Sequence, residues 1–262
     1  MDVYRDFAPF YDLYVGGFAA DLPLYLRYAR RARTPLIEVG AGSGRLTIPL
    51  ARAGHAVVAV DVSRAMLARL TARLRRERPA VRTRVRVVRA DAARLGLGLR
   101  SDLIIVPFYT FNYLLSARVR EAVLRRLAAH LTPGGRLLID VFIPLARIAA
   151  CPSGPVLKLD RRDAGGARIR GWNVYAIDTR RQLETRRHLF RLEGPDGRVR
   201  HRRFTIRRRY WHAGELRAMF RRHGLRVEAV FAGYRGRRAR GDAEQLLWVL
   251  TPGGRSGTRG AV

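Results

Sequence analysis

Apolar positions in the first 150 residues switch between two periods. Runs at 36–39, 56–60, 85–89, 103–106 and 137–142 are short, rich in Val, Ile and Leu, and bounded by Gly, Pro or Asp. That pattern predicts five strands. Between them the apolar spacing lengthens to three and four residues. Helices are predicted at 22–33 with Asp21 as cap and Pro23 in the first turn, and at 45–53, ended by Gly54. Another runs from a Ser63 cap to about Glu77, stopped by Pro79. A fourth follows a Ser116 cap, with Val119, Val123 and Leu127 on one face. Strand and helix in strict alternation predict a mostly parallel α/β sheet with helices on both faces.

After about residue 144 the helical period disappears. Segments 168–178, 182–193 and 198–210 predict antiparallel strands, turning at 178–181 and 194–197. Leu216, Met219 and Phe220 then mark a helix that Gly224 ends, and 227–231 and 246–250 predict two last strands. The Gly-, Ser- and Arg-rich stretch from Thr251 is expected to fray.

At 262 residues and 48% apolar content, the chain suits one domain with a small accessory element. Its opening ten residues lack the basic-then-apolar pattern of a secretory leader, and no apolar run reaches membrane length. With a single cysteine, Cys151, an internal disulfide is excluded. A cytoplasmic protein with no membrane contact is expected; oligomeric state is not legible. Charge complicates this picture: 52 basic residues against 21 acidic give +31, with Lys158 the only lysine. Attraction to a polyanion is one reading, and an arginine-favouring codon bias is the other. Residues 144–212 carry 17 arginines and Lys158 against six acids. Two-residue alternation spreads these over both faces of the strands, so weak, salt-sensitive nucleic-acid binding is expected rather than a dedicated groove.

The candidate chemistry lies at strand ends. Glu38-Val39-Gly40-Ala41-Gly42-Ser43-Gly44 follows one strand and precedes a helix, where glycines allow a sharp turn and close approach of a ligand. The nicotinamide pattern G-x-G-x-x-G is not met, because Arg45 stands at its third glycine. Glu38, Asp61 and Asp91 fall at the ends of the first three strands. Three acids at one sheet edge of so basic a chain suggest a pocket for a cationic, ribose-bearing ligand. The aromatic run from Phe108 to Tyr113 follows the fourth strand, and Tyr109 and Asn112 are the candidate polar contacts to a substrate. Histidines show no metal-ligand spacing, so no metal is expected; His188, His201 and His212 read as exposed strand or turn residues.

These segments resemble the first three motifs of class I S-adenosylmethionine-dependent methyltransferases: 35–45, 60–67 and 88–91. Leu131-Thr132-Pro133-Gly134-Gly135-Arg136 is similar to the turn before their fifth strand. Phe10-Tyr11-Asp12, Asp21 to Leu26, Pro107 to Leu115 and Arg209 to Leu216 resemble a broad bacterial subgroup with small-molecule acceptors. The resemblance implies a Rossmann-like seven-stranded sheet in the order 3-2-1-4-5-7-6 with strand 7 antiparallel. The core would comprise 35–143 and 213–251, with 1–34 as an N-terminal cap segment, 144–212 as a small antiparallel β insert near the active site, and 252–262 as a flexible tail. S-adenosyl-L-methionine would be the cofactor. By position, Glu38, Gly40, Gly42 and Gly44 would hold its methionine part and Asp61 its ribose. Val62 and Met66 would flank the adenine, with Asp91 and Ala92 at its edge. Pro107 and Phe108 would line the transfer side, and Tyr11 would close over it. Ala232-Gly233-Tyr234-Arg235-Gly236 departs from the subgroup, which often has acids on both sides of that tyrosine. The implied activity is methyl transfer to oxygen or nitrogen of a small molecule. RNA or another polyanion as acceptor, and a non-catalytic cofactor-binding module, are the alternatives. No general base is assigned, since alignment of an activated methyl group supplies much of the acceleration.

Overall fold

The computed structural model describes residue 4 and residues 7–15, 17–163, 165–239 and 243–253. Its helices are α1 (Ala8–Val15), α2 (Leu22–Ala29), α3 (Thr47–Arg52), α4 (Arg64–Leu74), α5 (Pro79–Arg82), α6 (Ala117–Ala129), α7 (Leu145–Ala149) and α8 (Ala213–Arg222). The strands are β1 (Leu36–Val39), β2 (Val57–Asp61), β3 (Val85–Arg89), β4 (Ser101–Val106), β5 (Leu131–Phe142), β6 (Val156–Arg162), β7 (Arg168–Asp178), β8 (Leu183–Glu193), β9 (Val199–Arg209), β10 (Leu225–Ala232) and β11 (Gln245–Pro252).

Seven strands form one sheet in the order β10-β11-β5-β4-β1-β2-β3. Strands β1 to β5 pair in parallel, and β11 runs antiparallel to both β5 and β10. This is the order 3-2-1-4-5-7-6 that the resemblance implies. Successive side chains point to opposite faces, which splits the core in two. Ile37, Val39, Ile104, Val106, Leu137 and Ile139 pack with Leu124 and Leu127 of α6 and Leu216 and Phe220 of α8. Leu36, Leu103, Ile105, Leu138, Leu247 and Val249 pack instead with Leu24 and Tyr25 of α2 and with Leu50 of α3. The exposed edge strand β3 carries Arg86 and Arg89, and such charge discourages pairing with another chain.

A second, four-stranded antiparallel sheet follows the order β6-β7-β8-β9. Its strands β7 to β9 fall within a residue of the expected bounds. Strand β6 and the short α7 were not foreseen, because 145–162 mixes Arg, Pro and Gly without a clear period.

Several expected details differ. Asp21 does not cap α2; its carboxylate is fully buried and takes both terminal nitrogens of Arg45 at 2.6 Å each. A buried bidentate pair outweighs a surface cap in such a setting. Ser63 caps α4 through the Met66 N–H at 3.3 Å, whereas Ser116 makes no side-chain cap bond. Pro79 starts α5 rather than merely stopping a helix. The turn at Pro133-Gly134-Gly135 lies inside β5, where the register against β4 jumps between Ser101 and Leu103. Pro252 still pairs with Leu225, so β11 extends past the point where fraying was expected; residues 254–262 of the expected tail lie outside the described residues.

Candidate active site at the strand ends

The strand order reverses direction between β1 and β4, and ligands of such sheets sit at the carboxyl ends flanking that point. The loop after β1 turns through three left-handed glycines, Gly40 (φ 80°), Gly42 (φ 57°) and Gly44 (φ 86°). A Cβ on Gly40 would collide with the Thr110 side chain, and one on Gly42 would sit 3.2 Å from Met66 Cε. Both glycines floor a cavity of about 350 Å³. Gly44 does not reach it: its bare Cα admits Leu70 of α4.

Asp61, at the end of β2, stands on the wall of this cavity. Its Oδ2 accepts the Gly42 N–H at 2.8 Å and its Oδ1 accepts the Ser63 N–H at 2.8 Å. The carboxylate therefore ties the glycine loop to the start of α4. Val62 and Met66 form an apolar side, and Ala90, Asp91 and Ala92 follow along the end of β3. Asp91 Oδ1 accepts the Ala93 N–H at 2.9 Å, which fixes its orientation. Phe108 and Tyr11 complete the walls, joined by Tyr4, Thr110 and Tyr113, which sequence reasoning had not singled out.

Four expected site residues stand elsewhere. Glu38 is 1% exposed beneath the loop, accepting the Thr47 hydroxyl at 2.5 Å, and burial pushes its carboxyl up to about 7. Gly44 faces Leu70, as described. Pro107 is buried, and its carbonyl accepts the Thr110 hydroxyl at 2.7 Å. Asn112 is 1% exposed and is not available to a substrate. Its Nδ2 donates to the carbonyls of Phe142 (3.0 Å) and Arg209 (2.7 Å), and its Oδ1 accepts the Phe142 N–H at 3.0 Å. It braces β5 against β9.

A second cavity, also about 350 Å³, adjoins the first and shares Tyr4, Tyr11, Phe108 and Tyr113 with it. Its walls add Phe7, Tyr14, Tyr109 and Phe142, and three arginines, Arg147, Arg186 and Arg208. His188 lines it too. The expectation of an exposed His188 is wrong: the residue is 1% exposed and stacks on Phe7 with ring centroids 4.9 Å apart. Alternation along β8 puts Glu184, Arg186, His188 and Phe190 on the inner face, and that was the signal available in the sequence. Burial, with Arg186 and Arg208 beside it, pushes His188 down to about 3, so the imidazole is neutral.

The junction between the cavities is conformationally unusual. Phe108 (φ 49°) and Tyr109 (φ 64°) are non-glycine residues in the left-handed region, a cost of about 1–3 kcal/mol each. Asp140 supports them from β5: its Oδ2 accepts the Phe108 N–H at 3.1 Å and the Tyr234 hydroxyl. Burial pushes the Asp140 carboxyl up to about 8. Burial also raises the Tyr109 hydroxyl well above its ordinary value, with Asp140 adding to the effect.

Helix α1 covers both cavities. Asp12 accepts the Ser43 hydroxyl at 2.6 Å and ion-pairs with Arg69 of α4 at 2.7 Å. On its other side, Phe10 stacks on Phe190 of β8 at 4.7 Å. The helix is thus fastened to the glycine loop and to the second sheet at once.

Residues 37–137 match the family described as methyltransferase domain. Over 109 residues the chain is 32% identical to a cypemycin N-terminal methyltransferase from Streptomyces sp, spanning 42% of this chain and 42% of that relative's length. Two solved structures share the fold across nearly the whole chain. The CcbJ methyltransferase from Streptomyces caelestis is 24% identical, with a TM-score of 0.78 over 96% of this chain and 98% of that one. The sugar N-methyltransferase KedS8 from Streptoalloteichus sp is 20% identical, with a TM-score of 0.71 over 93% and 92%. With its glycine loop at the switch point and its 3-2-1-4-5-7-6 sheet, the chain shares the fold of these methyltransferases, and the part that matches the methyltransferase domain family is the stretch that builds the switch point.

Proposed function

We propose that the chain transfers a methyl group from S-adenosylmethionine to a nitrogen or oxygen of a small molecule, nitrogen being favoured. The observation that carries this is the pair of adjoining cavities at the strand ends, which share four aromatic residues at their junction. The first cavity fits the cofactor. Gly40 and Gly42 put bare backbone on its wall, Asp61 offers a carboxylate fixed by two backbone amides, and Val62 and Met66 offer an apolar side. In this reading Asp61 receives the ribose hydroxyls, Val62 and Met66 flank the adenine, and Asp91 and Ala92 meet its edge. The bound cofactor supplies a methyl group already activated on a sulfonium.

The second cavity receives the acceptor, with Tyr109 on its wall. Tyr4, Tyr11, Phe108 and Tyr113 align the two reactants and keep water from the path between them. The burial that keeps His188 neutral, reinforced by Arg186 and Arg208, acts on an amine in the same cavity, favouring the free base whose lone pair attacks. A neighbour named a sugar N-methyltransferase and a relative named an N-terminal methyltransferase support nitrogen. A cavity of this size walled by aromatics supports a small acceptor over a polynucleotide. The described residues of 1–34 act as the cap of the site and those of 144–212 as its acceptor-side wall, around a core formed by the described residues of 35–143 and 213–251. Calorimetry with S-adenosylhomocysteine, followed by radiolabelled methyl transfer to pooled small amines and to total RNA, is the test. Labelling of RNA in preference to every amine pool would overturn the small-molecule reading.

A further inference from the structure

Three guanidinium groups enter the acceptor cavity region, and one carboxylate answers them. Glu184 Oε1 accepts Arg147 Nε at 2.8 Å, and its Oε2 accepts Arg208 Nε at 2.9 Å. Arg186 approaches the same carboxylate only at 3.5 Å, and its buried Nε has no hydrogen-bond partner. Glu184 is itself not on the cavity wall, whereas all three arginines are. Two positive charges are therefore left over among aromatic side chains. Beside them, both ring nitrogens of the buried His188 are without hydrogen-bond partners. Buried cations and donors carry a large desolvation cost unless a partner satisfies them, and among the described residues lining this cavity there is no acid. Arg186 also meets the Tyr14 hydroxyl, and its unpartnered Nε–H leaves a charged donor that suits an oxyanion.

We infer that the acceptor carries an oxyanionic group, carboxylate or phosphate, and that Arg186 binds it. This rests on the methyltransferase reading above and adds the substrate class. The aromatic walls formed by Phe7, Tyr14 and Phe142 take an apolar body between that anion and the methyl-accepting atom. Anionic acceptors suit the site for a second reason: they neutralise a cavity that adjoins the place of a cationic cofactor.

The test is calorimetry on the full chain saturated with S-adenosylhomocysteine, using phenylacetate, phenyl phosphate and phenylacetamide as probes. At least one anion is expected to bind about tenfold or more tighter than the amide. Which anion wins distinguishes carboxylate from phosphate. Arg186→Gln is expected to reduce that preference to below about threefold while leaving S-adenosylhomocysteine affinity unchanged, and Arg186→Lys to restore part of it. Equal binding of all three probes by the parent would overturn the inference, whether or not the variants fold. So would loss of S-adenosylhomocysteine affinity in Arg186→Gln with the anion preference intact, since the arginine would then serve the cofactor. Failure of the parent to bind S-adenosylhomocysteine is a different result, and it would defeat the methyltransferase reading itself.

Discussion

Replacing Asp61 by Asn separates the two duties of that carboxylate. In the parent each oxygen accepts a backbone N–H at 2.8 Å, from Gly42 on one side and Ser63 on the other. An amide keeps one oxygen and puts an NH₂ against the other donor. One backbone N–H then loses its acceptor, at about 1–3 kcal/mol. For a chain of this size each kcal/mol lowers the melting temperature by roughly 2–4 °C, so the fall should be roughly 2–12 °C. The second loss concerns the ligand. Hydrogen bonds from ribose hydroxyls to an ionised acceptor contribute about 1.5–3 kcal/mol, against about 0.5–1.5 to a neutral one. With the displaced glycine loop, the affinity for S-adenosylhomocysteine should fall by about 10- to 100-fold. Differential scanning fluorimetry and isothermal calorimetry measure the two effects on the same preparation. An unchanged dissociation constant, with the expected loss of melting temperature, would refute the ribose contact and leave Asp61 a structural tie.

Asn112→Ala strips partners from three backbone groups, so thermal unfolding should show a loss of about 3 kcal/mol; a variant with native stability and a raised acceptor KM would restore it as a substrate contact. Gly44→Ala forces a left-handed Ala against Leu70, and denaturant titration should show a loss of at least about 1 kcal/mol without a specific loss of cofactor affinity. Glu38 and Asp140 hold protons up to about 7 and about 8 in the folded chain but ionise near their ordinary values when unfolded, so stability should fall as pH rises from about 5 to 8. Asp140→Asn should flatten that slope in pH-dependent melting curves, and an unchanged slope would place the titration elsewhere. His188 acts with the opposite sign: its folded value lies near 3, so the stability linked to it is lost as pH falls from about 6.5 toward 3, and His188→Gln should melt with less acid sensitivity. Nucleic-acid binding should be weak and fall steeply between 50 and 200 mM salt in filter-binding assays, whereas persistent binding would revive the polyanion reading.

The sheet was legible because strands β1, β2 and β4 are buried almost throughout and so read as apolar runs, closed by Gly40, Asp61 and Pro107. Glycine conformation and strand-end acids follow from local chemistry, which is why Gly40, Gly42, Asp61 and Asp91 could be named beforehand, whereas Phe108 was named through the family resemblance. What could not be read is set by long-range pairing. Asp21 has the composition of a helix cap, and only the fold brings Arg45 to it. Asn112 sits in an aromatic run that suggests a pocket, yet its amide is consumed by strands that end 30 and 97 residues away. Glu184, Arg186 and His188 were hidden by composition: in a segment dense with arginine, the inward-facing members look like the rest. Their burial depends on α1 packing against β8, which no local pattern encodes.

The two cavities draw on different stretches of chain. The first is lined mainly by residues 39–119, while the arginines, His188 and Ile206 of the second come from residues 147–208, and among the described residues only Tyr4, Tyr11, Phe108 and Tyr113 belong to both. Under the proposed assignment, mutations in β8 and β9 can re-shape acceptor choice while the donor half stays intact. Such a division makes a protein evolvable: new acceptors are reached by drift in one module, with the donor chemistry carried along unchanged. A library randomised at Arg147, Arg186 and Arg208 should therefore keep nucleoside binding throughout, and vary only in what it methylates.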